Sequence, residues 1–204
     1  MQVIIFEACR SPEIVKQDTE GIILSKVYNE EKIDYALFSN DGIWQNHFVI
    51  TKSLIEQEIN KPDVLVVHLA MHGFKHGLAL RWSTGQGFHL KVVEDLLGID
   101  EIREMKGWQH KLIVSGACSS LYLADAFLKA GAIAVVAPAF EIPWDKLGAF
   151  FQMFYRELFA GQSIKTALDS AKGQFPKYSS FSLSGQDIPI LQSSFQSPTL
   201  RGKT

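Results

Sequence analysis

One cysteine, Cys118, follows an apolar run that breaks abruptly into small residues, Leu112-Ile113-Val114-Ser115-Gly116-Ala117-Cys118-Ser119-Ser120. A thiol at a strand-to-helix turn can serve as a nucleophile if a base stands within reach. All six histidines (His47, His68, His72, His76, His89 and His110) precede Cys118, so that base comes from upstream. The best placed is His72, which with Gly73 ends a second apolar run, Val64-Leu65-Val66-Val67-His68-Leu69-Ala70-Met71-His72-Gly73. A free thiol ionises with a reference pKa of about 8.5, so it needs help to become a thiolate near neutral pH. The segment Ser119 to Lys129 reads as a helix whose amino end would favour negative charge at the sulfur. An imidazole can take the thiol proton and return it to a leaving amine. Gly73 carries no side chain, so its N–H can approach a substrate oxygen and form an oxyanion hole with the N–H of Cys118. The expected chemistry is a hydrolytic His-Cys dyad acting on a scissile carbonyl.

Competing readings of the same residues are weaker. A lone buried cysteine is most often an inert small hydrophobe, and Cys9, ahead of Arg10-Ser11-Pro12, reads as structural. His68, His72 and His76 share the spacing of a helical zinc site, but the run is strand-like and Gly73 and Gly77 interrupt a helix, so no metal is expected. His68 reads instead as a packed or hydrogen-bonded support on its strand. Gly116 to Ser120 partly mimics a nucleophile elbow, yet that fold needs a histidine after the nucleophile, and none follows. No G-x-G-x-x-G follows a strand and no Walker-type loop is present, so no cofactor is implied.

The elements that must carry these residues alternate. Candidate strands are Val3–Phe6, Ile33–Phe38, Val64–Ala70, Leu112–Ala117, Ile133–Ala137 and one near Ser180–Leu183. Continuous Val/Ile/Leu runs indicate strands buried on both faces of a parallel sheet. Leu147, Phe150, Phe151, Phe154 and Leu158 follow helical spacing, as do Ile164, Ala167, Leu168 and Ala171. Gly161 is expected to end the first of these helices and Ser163 to cap the second. The pattern predicts an α/β fold: an open, mostly parallel six-stranded sheet with helices on both faces. Reactive groups gather outside the carboxyl ends of such strands, so His72 and Cys118 meet if their strands are neighbours. A helix over Gly87 to Gly98 is expected to supply the crossover. The stretch Arg103 to Lys111 reads as a surface connection, with an activation loop as the lesser reading.

Length and charge set the frame. The 204 residues suit a single domain over 1–185, followed by a loop-like tail, 186–204. A net charge of -2 gives no basic excess for nucleic acid or a membrane surface. No apolar run approaches the roughly 20 residues that span a bilayer, and the amino-terminal residues lack the pattern of a signal peptide. Two cysteines cannot make a disulfide framework, so a reducing, cytoplasmic setting is expected.

From about Pro62 to Leu183 the chain resembles the CHAT domain, the caspase-like, separase-related branch of the clan CD cysteine peptidases. Val66–Gly73 is similar to that family's "hhHhatHG" strand, and Leu112–Cys118 to its "hhhLSAC" strand. Ala124–Ala132 with Val135-Val136-Ala137 resembles the following helix and strand, Phe151–Ala171 the later helices, and Ser180–Gly185 the closing strand. The resemblance implies a caspase-like fold and an endopeptidase that cleaves proteins, with His72 as base, Cys118 as nucleophile, and Gly73 and the Cys118 amide as oxyanion donors. It also implies a regulated role in bacterial stress or defence. Relatives carry an acid for a basic P1 side chain where Gly148 stands here; Glu141 or Asp145 could serve the substrate pocket instead. The expected partners are a protein substrate and an activator acting in trans; an edge strand could also pair two copies as a homodimer. A non-catalytic caspase-like interaction module is the alternative.

Overall fold

The computed structural model describes residues 1–8, 19–40, 49–84 and 91–190. Its elements run β1 (Gln2–Ala8), α1 (Glu20–Glu30), β2 (Asp34–Ser39), α2 (Lys52–Ile59), β3 (Val64–Phe74), β4 (Gly77–Thr84), β5 (Lys91–Gly98), α3 (Ile99–Glu104) and β6 (Leu112–Ser115). After a short 3-10 turn, Ser120–Leu123, come α4 (Ala124–Lys129), β7 (Ala134–Pro138), α5 (Leu147–Phe159), α6 (Ile164–Gln174) and β8 (Phe181–Gly185). The main path of the sheet is β2-β1-β3-β6-β7-β8. Every pairing along it is parallel except that of β8 with β7. These are the six strands expected from the sequence, and the α/β architecture is as read.

Alternation within the strands explains their continuous apolar runs. Val3, Ile5, Val66, Val114 and Val136 point to one face, where α1, α5 and α6 cover them with Leu24, Tyr28, Phe150, Phe151 and Leu168. Ile4, Phe6, Val67, Leu69, Ile113 and Val135 point to the other, beneath Ile55, Ile59, Ile102 and Phe127 of α2, α3 and α4. Both faces of the sheet are therefore dry, which removes any polar alternation from the sequence.

The crossover differs from expectation. No helix forms over the described part of Gly87 to Gly98; Lys91–Gly98 is β5, paired antiparallel with β4, and β4 pairs with the outer end of β3. The sheet thus has eight strands, not six. Val92 and Val93 are β-branched and favour extended backbone, and β4 offers them a ladder that an isolated helical turn would lack. The connection Arg103 to Lys111 is anchored rather than loose: Trp108 is fully buried, and the buried Lys111 ammonium donates to the Val64 carbonyl at 2.9 Å. The first residues of the expected tail are likewise tied to α6, with the Lys165 N–H donating to Asp187 Oδ1 at 2.8 Å and Ile190 buried. Residues 191–204 lie outside the described part.

Candidate active site

Strands β3 and β6 are hydrogen-bonded neighbours, with Val66 opposite Leu112, His68 opposite Val114 and Leu69 opposite Ser115. The Gly116 N–H extends this ladder by donating to the Leu69 carbonyl at 2.9 Å. Beyond it β6 stops and the chain turns. The Ser115 hydroxyl accepts from the Ala117 N–H at 3.2 Å, the Ser120 hydroxyl donates to the Ala117 carbonyl at 2.6 Å, and Ser119 takes left-handed backbone at φ 56°. Small hydroxyl residues are what such a turn needs, because they satisfy the carbonyl and amide groups released from the strand. β3 instead continues, carrying His72 and Gly73 past the same edge.

Gly73 lies directly on the nucleophile turn. A Cβ at this position would fall 2.3 Å from the Cys118 carbonyl oxygen and 2.7 Å from Ala117 Cβ, so any side chain would drive the two segments apart. The half-buried Cys118 packs with the cluster on the α1/α5 face. The His72 ring lies 5.4 Å from that of Trp144, just before α5, so the imidazole turns to that face too. The strand ends thus place the predicted base and nucleophile on adjoining segments, each contacting the loop that leads into α5.

That loop, from Phe140 to Trp144, touches both members of the pair. The Ile142 N–H points at Cys118 Sγ at 3.5 Å, and the Ser119 N–H donates to the Phe140 carbonyl at 3.1 Å. Phe140 is exposed, as is Glu141, while Asp145 is held by the Lys177 ammonium at 2.5 Å. This hydrogen bond keeps the Asp145 carboxyl below the ordinary carboxylate range. Gly148 is buried in α5 against Ile23, whose Cδ1 would lie 2.4 Å from an added Cβ, so a side chain there would have to displace the end of Ile23.

One expectation about the sulfur needs correction. Ser119 to Lys129 is not a single helix: Ser120–Leu123 forms a 3-10 turn and α4 begins at Ala124. The carbonyl of Ala117 must be taken up by Ser120, and this tightens the first turn and moves the α-helical amino end away from Cys118. Among the remaining histidines, His76 stacks on Phe74 in the β3–β4 turn. His47, His89 and Cys9 lie outside the described residues. No group of three His, Cys, Asp or Glu residues is gathered in metal-binding fashion among the described residues.

His68 is fully buried, and its surroundings were not legible from spacing. Nε2 lies 2.5 Å from Glu20 Oε1 and Nδ1 lies 2.8 Å from the Tyr155 hydroxyl, while the ring meets Phe151 edge-on at 4.8 Å. Glu7, at the end of β1, accepts from the Gly21 N–H at 2.7 Å, the Ser39 hydroxyl at 2.9 Å and the Thr19 hydroxyl at 3.1 Å. Burial pushes the Glu7 carboxyl above its ordinary value despite these donors. His68 is thus the packed, hydrogen-bonded support expected on its strand, while its partners Glu20 and Tyr155 left no sign in the spacing.

The sheet order, the helices on both faces and the His/Cys edge together define an α/β protein of the caspase-like class. The family model of the CHAT domain matches residues 43–187, and the chain belongs to that family. No curated protein sequence matches it. Among solved structures it is similar to the Arg-specific cysteine proteinase gingipain R, with a TM-score of 0.63 at 12% identity over 93% of this chain and 46% of that one. The complex of the Porphyromonas gingivalis RgpB pro- and mature domains gives 0.61 at 13% identity, over 93% of this chain and 48% of that one. The Saccharomyces cerevisiae separase–securin complex gives 0.54 at 11%, over 92% of this chain and 12% of that one. The chain therefore spans less than half the length of these relatives and shares their fold. Among the described residues no helix is long and apolar enough to cross a membrane.

Proposed function

We propose that this chain is a cysteine endopeptidase that cleaves protein substrates through His72 and Cys118. The observation that supports it best is the parallel pairing of β3 with β6, which sets Gly73 against the Ala117–Cys118 backbone at one sheet edge. In this reading His72 takes the thiol proton and the sulfur attacks the scissile carbonyl carbon. The oxyanion is held by the N–H groups of Gly73 and Cys118. His72 then returns the proton to the leaving amine, and water releases the acyl group from the sulfur. Of the two acids proposed for the substrate pocket, Asp145 already engages Lys177, which favours Glu141 as the one that meets substrate. Regulation by a partner in trans or by proteolytic activation fits a fold shared with a protease described with its pro-domain and with a separase bound to securin. The setting we assign is the bacterial cytoplasm, where the thiol stays reduced, in a stress or defence role; pairing of two copies as a homodimer belongs to the same proposal.

The test is a mass-spectrometric cleavage map on a random peptide library, with wild type and Cys118→Ala compared. Wild type is expected to cut at a defined P1 residue and the variant to cut nothing while remaining folded. Cleavage that survives in Cys118→Ala removes the nucleophile assignment. A folded wild-type chain that cuts nothing, and whose Cys118 ignores peptide electrophiles at neutral pH, favours the interaction-module reading.

A further inference from the structure

The buried network around His68 reaches the nucleophile turn. Glu20 is the first residue of α1, capped by Thr19, and its carboxylate bonds His68 Nε2. The same carboxylate lies over Gly116, two residues before Cys118. The three nearest atoms to a Cβ built at Gly116 all belong to Glu20, at 2.8, 3.1 and 3.3 Å. Behind Glu20, the Thr19 hydroxyl and the Gly21 N–H both donate to Glu7, which also holds Ser39 of β2. Beyond His68, Tyr155 of α5 completes the chain of contacts. Two buried carboxylates, Glu7 and Glu20, thus link five elements, and the one that abuts the turn, Glu20, lies outside residues 43–187, which the family model covers.

An ionised carboxylate can only accept, and in that state Nε2 of His68 is the donor between them. Burying such a pair gives little net stability over a well-packed apolar one, because desolvation offsets the attraction. What the pair does supply is a fixed position. A flexible side chain could yield to a neighbour, but Glu20 is pinned by His68 on one side and by the start of its own helix on the other.

We propose that Glu20 and His68 are positioning residues for the nucleophile: they clamp the Ser115–Cys118 turn against the first turn of α1 and hold Cys118 in register with His72. The clamp is a matter of geometry, while its effect on turnover rests on the peptidase reading above. Misplacing a reacting group by about 1 Å can cost roughly 100-fold in rate.

The experiment uses the full chain as wild type, Glu20→Ala, Glu20→Gln, Gly116→Ala and the double variant Glu20→Ala/Gly116→Ala. It reads kcat and KM on a peptide taken from the cleavage map, and backbone hydrogen exchange over 115–119. Glu20→Ala and Gly116→Ala should each lower kcat by roughly 100-fold with KM little changed, and both should speed exchange in the turn but not in α6. Glu20→Gln, whose amide oxygen still accepts from Nε2, should recover most of the loss. The double variant should be no worse than Glu20→Ala alone, because alanine vacates the space that the new Cβ needs. Fully additive losses, or turn amides that exchange as in wild type, overturn the clamp. Gly116→Ala leaves the acid–imidazole pair chemically intact and carries the test by itself if Glu20→Ala does not fold. A wild-type chain without turnover counts against the peptidase reading, and exchange then still decides the clamp.

Discussion

At position 73 the steric demand comes before the proposed catalytic one. A Cβ 2.3 Å from the Cys118 carbonyl cannot be absorbed by a flexible neighbour, since what it meets is backbone. Gly73→Ala is therefore expected to lower stability by about 1–3 kcal/mol, as overpacking does, and to abolish turnover by displacing the turn. Denaturant midpoints and the peptide assay measure the two effects. His72→Ala should separate them: the half-buried ring leaves without crowding, so folding persists while the rate falls roughly 10²–10⁴-fold with loss of the base. Wild-type rates in His72→Ala would exclude that role. The meeting of these residues at one edge was legible because their types are rare and their order along the chain is restrictive: His72-Gly73 and Ala117-Cys118 each close an apolar run. Glu20, Ile142 and Trp144 were not, since each meets the site through tertiary packing that leaves no spacing behind in the sequence.

Among the elements, α5 and α6 were the clearest, because one apolar stripe on each faces the sheet and each has an identifiable stop or start. Gly161 ends the region after α5 with φ +91°, a conformation that glycine adopts freely, and Ser163 caps α6 by accepting from the Thr166 N–H at 3.2 Å. Ser163→Ala should remove that acceptor and lower stability by about 1 kcal/mol, measured as a shift in the urea midpoint with unchanged slope; no shift would mean that solvent satisfies the helix start equally well. The elements misread were the ones with no clean period. Lys91–Gly98 holds too few residues for helical and extended patterns to separate, and its ladder partner β4 lies before it in sequence. After Cys118, an apolar pattern suited to a helix was overridden by the turn, whose freed Ala117 carbonyl takes Ser120 as its partner. Local pattern failed where backbone hydrogen bonds had to be satisfied next to the site.

For the whole molecule, the sheet is dry on both faces, yet it keeps one carboxyl, Glu7, at the buried end of β1. Three donors from two segments, the start of α1 and the end of β2, converge on it, so it ties both to β1. Burial nonetheless outweighs those donors and raises its carboxyl above the ordinary value. In the unfolded chain Glu7 gives up its proton in the ordinary carboxylate range, whereas in the folded chain it holds the proton to higher pH. The unfolded state thus binds fewer protons across that window, and its slope makes folding less favourable as pH rises. The stabilising contribution is fully present below the ordinary carboxylate value and is lost as pH rises through the raised one. Glu7→Gln cannot ionise and escapes this loss. Its stability deficit relative to wild type should therefore shrink between a pH below the carboxylate range and neutrality, whatever constant cost comes from replacing one acceptor oxygen with a donor. Urea titrations of both proteins at the two pH values measure this difference. A deficit that widens toward neutral pH would mean that the three donors, rather than burial, dominate at Glu7, and that the carboxylate holds the sheet to α1 as a stabilising charge.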